Sequence, residues 1–119
     1  MNIVDQLVIG YHWSPRTRHT AIRNTGLIIG SPPVVNAAGG NDYRSTWVSL
    51  SPTPSQAWWL SGDALAVGGF STESATWDLW EVDLTGIDTR HVMSGYPEIQ
   101  ALHNIPPDRL TWIASRDIT

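Results

Sequence analysis

Apolar residues alternate with polar ones in several short segments, and this pattern predicts a protein built mainly of β-strands. The clearest segment is residues 77–84, where tryptophan, leucine and valine alternate with acidic residues, which predicts a half-buried strand. Further strands are predicted at residues 3–12, 47–50, 90–93, 98–102 and 110–114.

The first serine–proline pair predicts where a helix begins. Ser14 is predicted to cap a helix over residues 15–25, because its side-chain oxygen can accept from the first unpaired N–H groups. Pro15 suits the first helical position, where no N–H donor is needed. Gly26 can take a positive φ and end the helix.

A second serine–proline pair repeats this arrangement later in the chain. Ser51 is predicted to cap a short helix over residues 55–60, which Gly62 ends. Many strands with two or three short helices indicate an α+β fold. The small-residue segment 30–42 between the first helix and the next strand is of the type that often lies over a ligand.

The composition indicates one globular domain over residues 1–119. Of the residues, 41% are hydrophobic and 15% are charged, which excludes a disordered chain. The chain has no cysteine, and its four histidines have no ligand spacing, so we expect no metal site. No apolar run could span a bilayer and no signal peptide is recognisable, so we expect a cytoplasmic protein without membrane contact.

The charge is unevenly distributed along the chain. The net charge of −4, from 11 acidic and 7 basic residues, argues against sequence-independent binding to nucleic-acid backbone. The first predicted helix nevertheless holds Arg16, Arg18, His19 and Arg23. This cluster is either a local anion site or an ordinary solvated helix face.

His12 is the first residue for which a ligand contact is expected. It precedes a predicted helix N-terminus, where backbone N–H groups and the helix dipole hold anions. The alternative is a partly buried histidine with one structural hydrogen bond.

Three short motifs in chain order resemble the ADP-ribosyltransferase superfamily, from residue 11 almost to the end of the chain. The motifs are Tyr11-His12-Trp13-Ser14 with Ile22 and Gly26-Leu27, then Val48-Ser49-Leu50-Ser51 with Ala57, then Glu98 with Ile105-Pro106-Pro107 and Leu110. The resemblance implies a split, mostly antiparallel sheet that binds NAD in the cleft between its halves.

The resemblance also implies roles for single residues. Glu98 would bind the nicotinamide ribose and stabilise the oxocarbenium-like transition state. His12 would hold the adenosine-side ribose, and Ser49 or Ser51 would line the nicotinamide pocket. The residues expected to contact NAD are His12, Trp13, Ser14, Tyr43, Ser49, Ser51 and Trp58. One of Trp47, Trp58 and Tyr43 is expected to stack on the cationic nicotinamide ring.

The expected activity is transfer of ADP-ribose to a macromolecular acceptor, or hydrolysis of NAD. Members that modify arginine carry E-x-E or Q-x-E, with the catalytic glutamate second. Here Tyr96 stands two residues before Glu98, and Gln100 stands two residues after it, so the pattern differs. Two alternatives stay open: a non-catalytic nucleotide- or protein-binding module, and an RNA 2′-phosphotransferase that would use Arg16, Arg18 and His91. A small domain of this kind would suit a bacterial or phage effector.

Overall fold

A computed structural model describes residues 8–30, 46–58, 76–93 and 97–117. Within these ranges the strands pair only antiparallel, in two three-stranded sheets of order β1-β3-β6 and β2-β5-β4. The few helices make this an α+β arrangement, as predicted. The strands are β1 Ile9–Pro15, β2 Val48–Leu50, β3 Thr76–Asp83, β4 Thr89–Val92, β5 Glu98–Ala101 and β6 Leu110–Asp117. The helices are α1 His19–Thr25, the 3-10 turns Arg16–Arg18 and Pro107–Arg109, and residues 54–58.

Within the described ranges, the two sheets meet at one backbone bridge, between Tyr11 and Ser51. Each of these residues donates its N–H to the other's carbonyl at 2.8 Å. The bridge is isolated, so β1 and β2 diverge beyond it and the sheet is split. Ser49 is the residue of β2 at the opening of this split.

The main core lies between the two sheets and α1. Its buried members are Ile22, Leu27, Val48, Leu50, Trp80, Val82, Leu84, Ile99, Ala101 and Ile105. A second bridge, Leu27–Ile105, closes the core with two backbone hydrogen bonds of 2.9 Å. The Ile-Pro-Pro segment is thereby paired with Leu27, the second residue after α1.

The predicted cap at Ser14 is wrong. Strand β1 continues to Pro15, which pairs with Trp77 of β3, and α1 begins only at His19 after a 3-10 turn. Ser14 is 1% exposed, and its hydroxyl has no hydrogen-bond partner among the described residues. Cross-strand pairing therefore outweighed the local capping preference. Gly26 ends α1 with a φ of 80°, as predicted.

The predicted cap at Ser51 is also wrong. Its backbone is committed to the bridge with Tyr11, and Thr53 caps the helical residues instead. The Thr53 hydroxyl accepts from the Gln56 N–H at 3.1 Å. Residues 59–60, the predicted helix end, lie outside the described residues, as do residues 3–7 of the predicted first strand and 31–42 of the predicted loop.

Strand β3 is buried on both faces, not on one as its alternation predicted. It is the central strand of its sheet, and residues Trp77 through Trp80 are all buried. Trp80 packs into the core, while Trp77 lies on the other face against Trp13, with ring centroids 5.2 Å apart. Asp78 is therefore buried where the pattern predicted a solvated carboxylate.

Candidate functional site

Four polar residues gather on the face of the second sheet that is turned away from the core. The pairing register places Ser49 of β2 opposite Gln100 of β5, and Gln100 opposite Arg90 of β4. Glu98 lies two residues before Gln100 and so shares its face. The alternate residues Leu50 and Ile99 are buried in the core. Burial of the apolar positions thus fixes the direction of these polar side chains.

Both oxygens of the Glu98 carboxylate accept hydrogen bonds. Oε2 accepts from the Ser49 hydroxyl and from the Trp47 indole N–H, the latter at 3.3 Å. Oε1 accepts from the Gln100 amide nitrogen at 2.8 Å. Three neutral donors from two strands and the residue before β2 therefore orient this carboxylate.

Arg90 completes a ring of contacts around Glu98. Its Nε donates to the Gln100 amide oxygen at 2.6 Å, and its guanidinium carbon lies 5.5 Å from the centroid of the Trp47 ring. The Gln100 amide must present its oxygen to Arg90, which has no acceptor, and therefore its nitrogen to Glu98. We call Trp47, Arg90, Glu98 and Gln100 the Glu98 ring.

His12 reaches the same place from the first sheet. Its Nδ1 lies 3.4 Å from the Ser49 carbonyl oxygen. Because a carbonyl only accepts, Nδ1 carries the proton and Nε2 keeps the acceptor lone pair. Burial, reinforced by the charge of Arg18, outweighs the hydrogen bond to Ser49 and lowers the pKa of His12 to about 4. The imidazole is thus neutral at pH 7.

The structure brings together three of the residues expected at the site, namely His12, Ser49 and Glu98. Ser51 lies beside them in the bridge to Tyr11. These residues come from three segments that are distant in the chain.

The other expected NAD contacts that are described lie elsewhere. Trp13 packs on Trp77, on the face of β1 opposite His12. Ser14 is buried across the strand pair from Asp78. The Trp58 ring lies 5.4 Å from the guanidinium carbon of Arg116. Tyr43 is outside the described residues.

Sequence reasoning did not place Arg90 or Gln100 at the site, and it considered Trp47 only as a stacking surface. The spacing of Gln100 two residues after Glu98 on a strand is the signal that could have found it, because such residues share a face. Arg90 has no such signal, since its position depends on the register between β4 and β5.

A second polar cluster surrounds the buried carboxylate of Asp78. Arg16 Nε donates to both of its oxygens at 2.9 and 3.0 Å, Ser115 donates at 2.7 Å, and His19 Nδ1 lies at 2.8 Å. Burial alone would raise the pKa of Asp78, but these hydrogen bonds and the charge of Arg16 hold it below its usual value. Arg16 is therefore paired with Asp78 and does not contribute to a local anion site.

The Asp78 cluster joins four elements of the first sheet and its helix. Arg16 precedes α1, His19 is the first residue of α1, and Ser115 lies on the edge strand β6. Trp112 of β6 also contacts it, since its indole N–H donates to the Ser115 hydroxyl at 2.9 Å. Both oxygens of the Asp78 carboxylate thus have hydrogen-bond partners, which is typical of a structural network.

No group of three or more histidine, aspartate or glutamate side chains in the described residues could hold a metal ion. Among the helices of the described ranges, none is long and apolar enough to cross a membrane. No protein-family model matches the chain, and no curated protein matches it.

Proposed function

We propose that this chain is an ADP-ribosyltransferase-like enzyme that cleaves NAD and transfers ADP-ribose to a macromolecular acceptor, or to water. The observation that carries the proposal is the convergence of His12, Ser49 and Glu98 at the split between the sheets. These are the residues that the resemblance to the superfamily assigns to NAD binding and catalysis. A split antiparallel sheet is also the architecture that the resemblance implies.

Glu98 has the chemistry that the reaction needs. The bond between the ribose C1′ and the nicotinamide nitrogen breaks, and its electron pair leaves with nicotinamide. Positive charge develops on the ribose, and an oriented carboxylate stabilises it. The acceptor, or water, then bonds to C1′ and releases a proton. Ser49, Trp47 and Gln100 keep the carboxylate in one orientation throughout.

His12 suits ribose recognition better than proton transfer. A pKa of about 4 leaves the imidazole neutral at pH 7, so it neither repels cationic nicotinamide nor readily supplies a proton. With Nδ1–H committed to the Ser49 carbonyl, Nε2 can accept from a ribose hydroxyl.

The test measures nicotinamide release and label transfer from labelled NAD, with cell extract as the acceptor source. We expect Glu98→Gln to slow nicotinamide release by about 100-fold or more, because it removes the charge and keeps the shape. NAD affinity, measured by calorimetry, should change by less than about threefold, because the contacts that bind NAD equally well in the ground state and the transition state are retained. Glu81→Gln is the matched control, because Glu81 lies on β3 away from the Glu98 ring.

Two results would overturn the proposal: release by Glu98→Gln at the wild-type rate, or no release by the wild-type protein. Binding of NAD without release would favour the non-catalytic binding module. RNA 2′-phosphate transfer would require 2′-phosphorylated RNA, and the pairing of Arg16 with Asp78 counts against it. Release without label transfer would identify NAD hydrolysis.

A further inference from the structure

We propose that Arg90, acting through Gln100, is a positioning residue for the Glu98 carboxylate. The inference rests on the proposed function, because it assigns a role in that reaction to two residues which the resemblance does not mark. Arg90 does not contact Glu98 directly, so its effect must pass through its neighbours.

Gln100 is the link between the two residues. Its side chain is at the buried end of the cluster, with the residue only 6% exposed. The amide oxygen accepts from Arg90 Nε at 2.6 Å, and the amide nitrogen donates to Glu98 Oε1 at 2.8 Å. Arg90 is the partner that fixes the amide oxygen, so loss of its bond would free the amide to rotate away from Glu98.

Arg90 also reaches the other carboxylate oxygen by a second path. Its guanidinium lies over the Trp47 ring, and the Trp47 N–H donates to Glu98 Oε2 at 3.3 Å. One exposed arginine thus supports the donors to both oxygens of the carboxylate. A carboxylate with a single orientation matters because small misplacement of a reacting group lowers the rate steeply.

This arrangement predicts which kinetic constant changes. Arg90→Ala should lower kcat for nicotinamide release by about tenfold, because the carboxylate is less well placed in the transition state. KM for NAD should change by less than about twofold, because in this proposal Arg90 does not contact NAD. Arg90 is exposed, so its replacement should leave the protein folded.

A double-mutant cycle tests whether the effect passes through Gln100. Nicotinamide release is measured for Arg90→Ala, for Gln100→Leu and for the combined variant. If Arg90 acts through Gln100, the two effects are not additive: adding Arg90→Ala to Gln100→Leu slows release by clearly less than the roughly tenfold loss expected for Arg90→Ala alone, and the remaining loss measures the path through Trp47. Arg116→Ala is the matched control, because Arg116 also lies over a tryptophan, Trp58, but outside the Glu98 ring. Its kcat should equal the wild-type value.

The pH profile gives a readout that a merely structural contact would not move. Gln100→Glu places a second carboxylate where the amide nitrogen now lies, and two carboxylates at hydrogen-bond distance do not readily both ionise. We expect the acidic limb of the profile of kcat against pH to move upward by about one pH unit or more. Arg116→Ala should leave the limb in place.

The outcomes separate the two proposals. No nicotinamide release by the wild-type protein overturns the proposed function, and the positioning role with it. Release by the wild type, with Arg90→Ala at the same kcat, overturns the positioning role alone. A raised KM with unchanged kcat also overturns it, because Arg90 would then bind NAD directly.

Discussion

The Nδ1 atom of His12 lies 3.4 Å from the Ser49 carbonyl oxygen, just beyond the isolated bridge that joins the two sheets. A side chain of the first sheet thus donates a hydrogen bond to a backbone carbonyl of the second sheet, at the opening of the split. The same residue, Ser49, donates its hydroxyl to Glu98. One position on β2 therefore connects the histidine of the first sheet with the carboxylate of the second.

His12 makes the stability of the protein depend on pH. Burial lowers its pKa from 6.5 to about 4, so between these values the unfolded chain binds a proton that the folded protein does not. The stabilisation is complete above pH 6.5 and is lost as the pH falls towards 4. As the pH is lowered from 6.5 to 4, we expect the free energy of unfolding, measured by urea denaturation, to fall by up to ~3 kcal/mol more in the wild type than in His12→Asn. Identical pH profiles for the two proteins would contradict this assignment.

In the proposed reaction, Ser49→Ala should slow nicotinamide release without abolishing NAD binding. The substitution removes one hydrogen bond to the charged Glu98 carboxylate, which is worth about 1.5–3 kcal/mol. We expect kcat for nicotinamide release to fall by about 10- to 100-fold, with little change in KM. Ser55→Ala, at an exposed helical position, is the control and should behave as wild type. Equal rates for both variants would show that the Ser49 hydroxyl is not needed.

Asp78→Asn should be strongly destabilising. The side chain of Asp78 is fully buried and Arg16 is 42% exposed, so removing the charge leaves a partly desolvated arginine unpaired. We expect a loss of about 2–4 kcal/mol in the free energy of unfolding at pH 7.

Asp88→Asn is the matched control for Asp78→Asn. Asp88 also pairs with a histidine, His103 at 3.0 Å, but both side chains are mostly exposed. The substitution should therefore cost less than about 1 kcal/mol. Folding lowers the pKa of Asp78 from its ordinary value of 3.8. The stability that its ionised carboxylate contributes is therefore present above pH 3.8 and is lost as the pH falls below that value. A similar cost for both variants would contradict the role given to burial.

Gly26→Ala should disrupt the bridge that closes the core. Gly26 has a φ of +80°, and an added Cβ would lie 1.9 Å from the Ile105 carbonyl oxygen, which accepts from the Leu27 N–H. We expect a loss of at least about 3 kcal/mol in thermal or urea unfolding. Gly86→Ala is the control: its φ is +79°, but an added Cβ would meet nothing within 4 Å, so the cost should be about 1–2 kcal/mol. Equal losses would show that the backbone conformation alone matters.

Local pattern was sufficient to find most of the described strands. The alternation over residues 77–84, the short apolar runs and the glycine after α1 each act on neighbouring residues, so they can be interpreted without a fold. The same local rules failed at Ser14 and Ser51. The backbones of both residues pair with segments elsewhere in the chain, and such pairing cannot be predicted from the neighbouring sequence.

The amino-acid sequence thus determined the α+β class and the order of the strands along the chain, and it indicated His12, Ser49 and Glu98 as candidate site residues. It did not determine the burial of Asp78 or the membership of Arg90 and Gln100 in the Glu98 ring. These features depend on the register of strand pairs and on contacts between residues such as Arg16 and Asp78, which are 62 positions apart. Register is selected by burial of a whole face of the sheet, and that energy exists only once the strands have assembled.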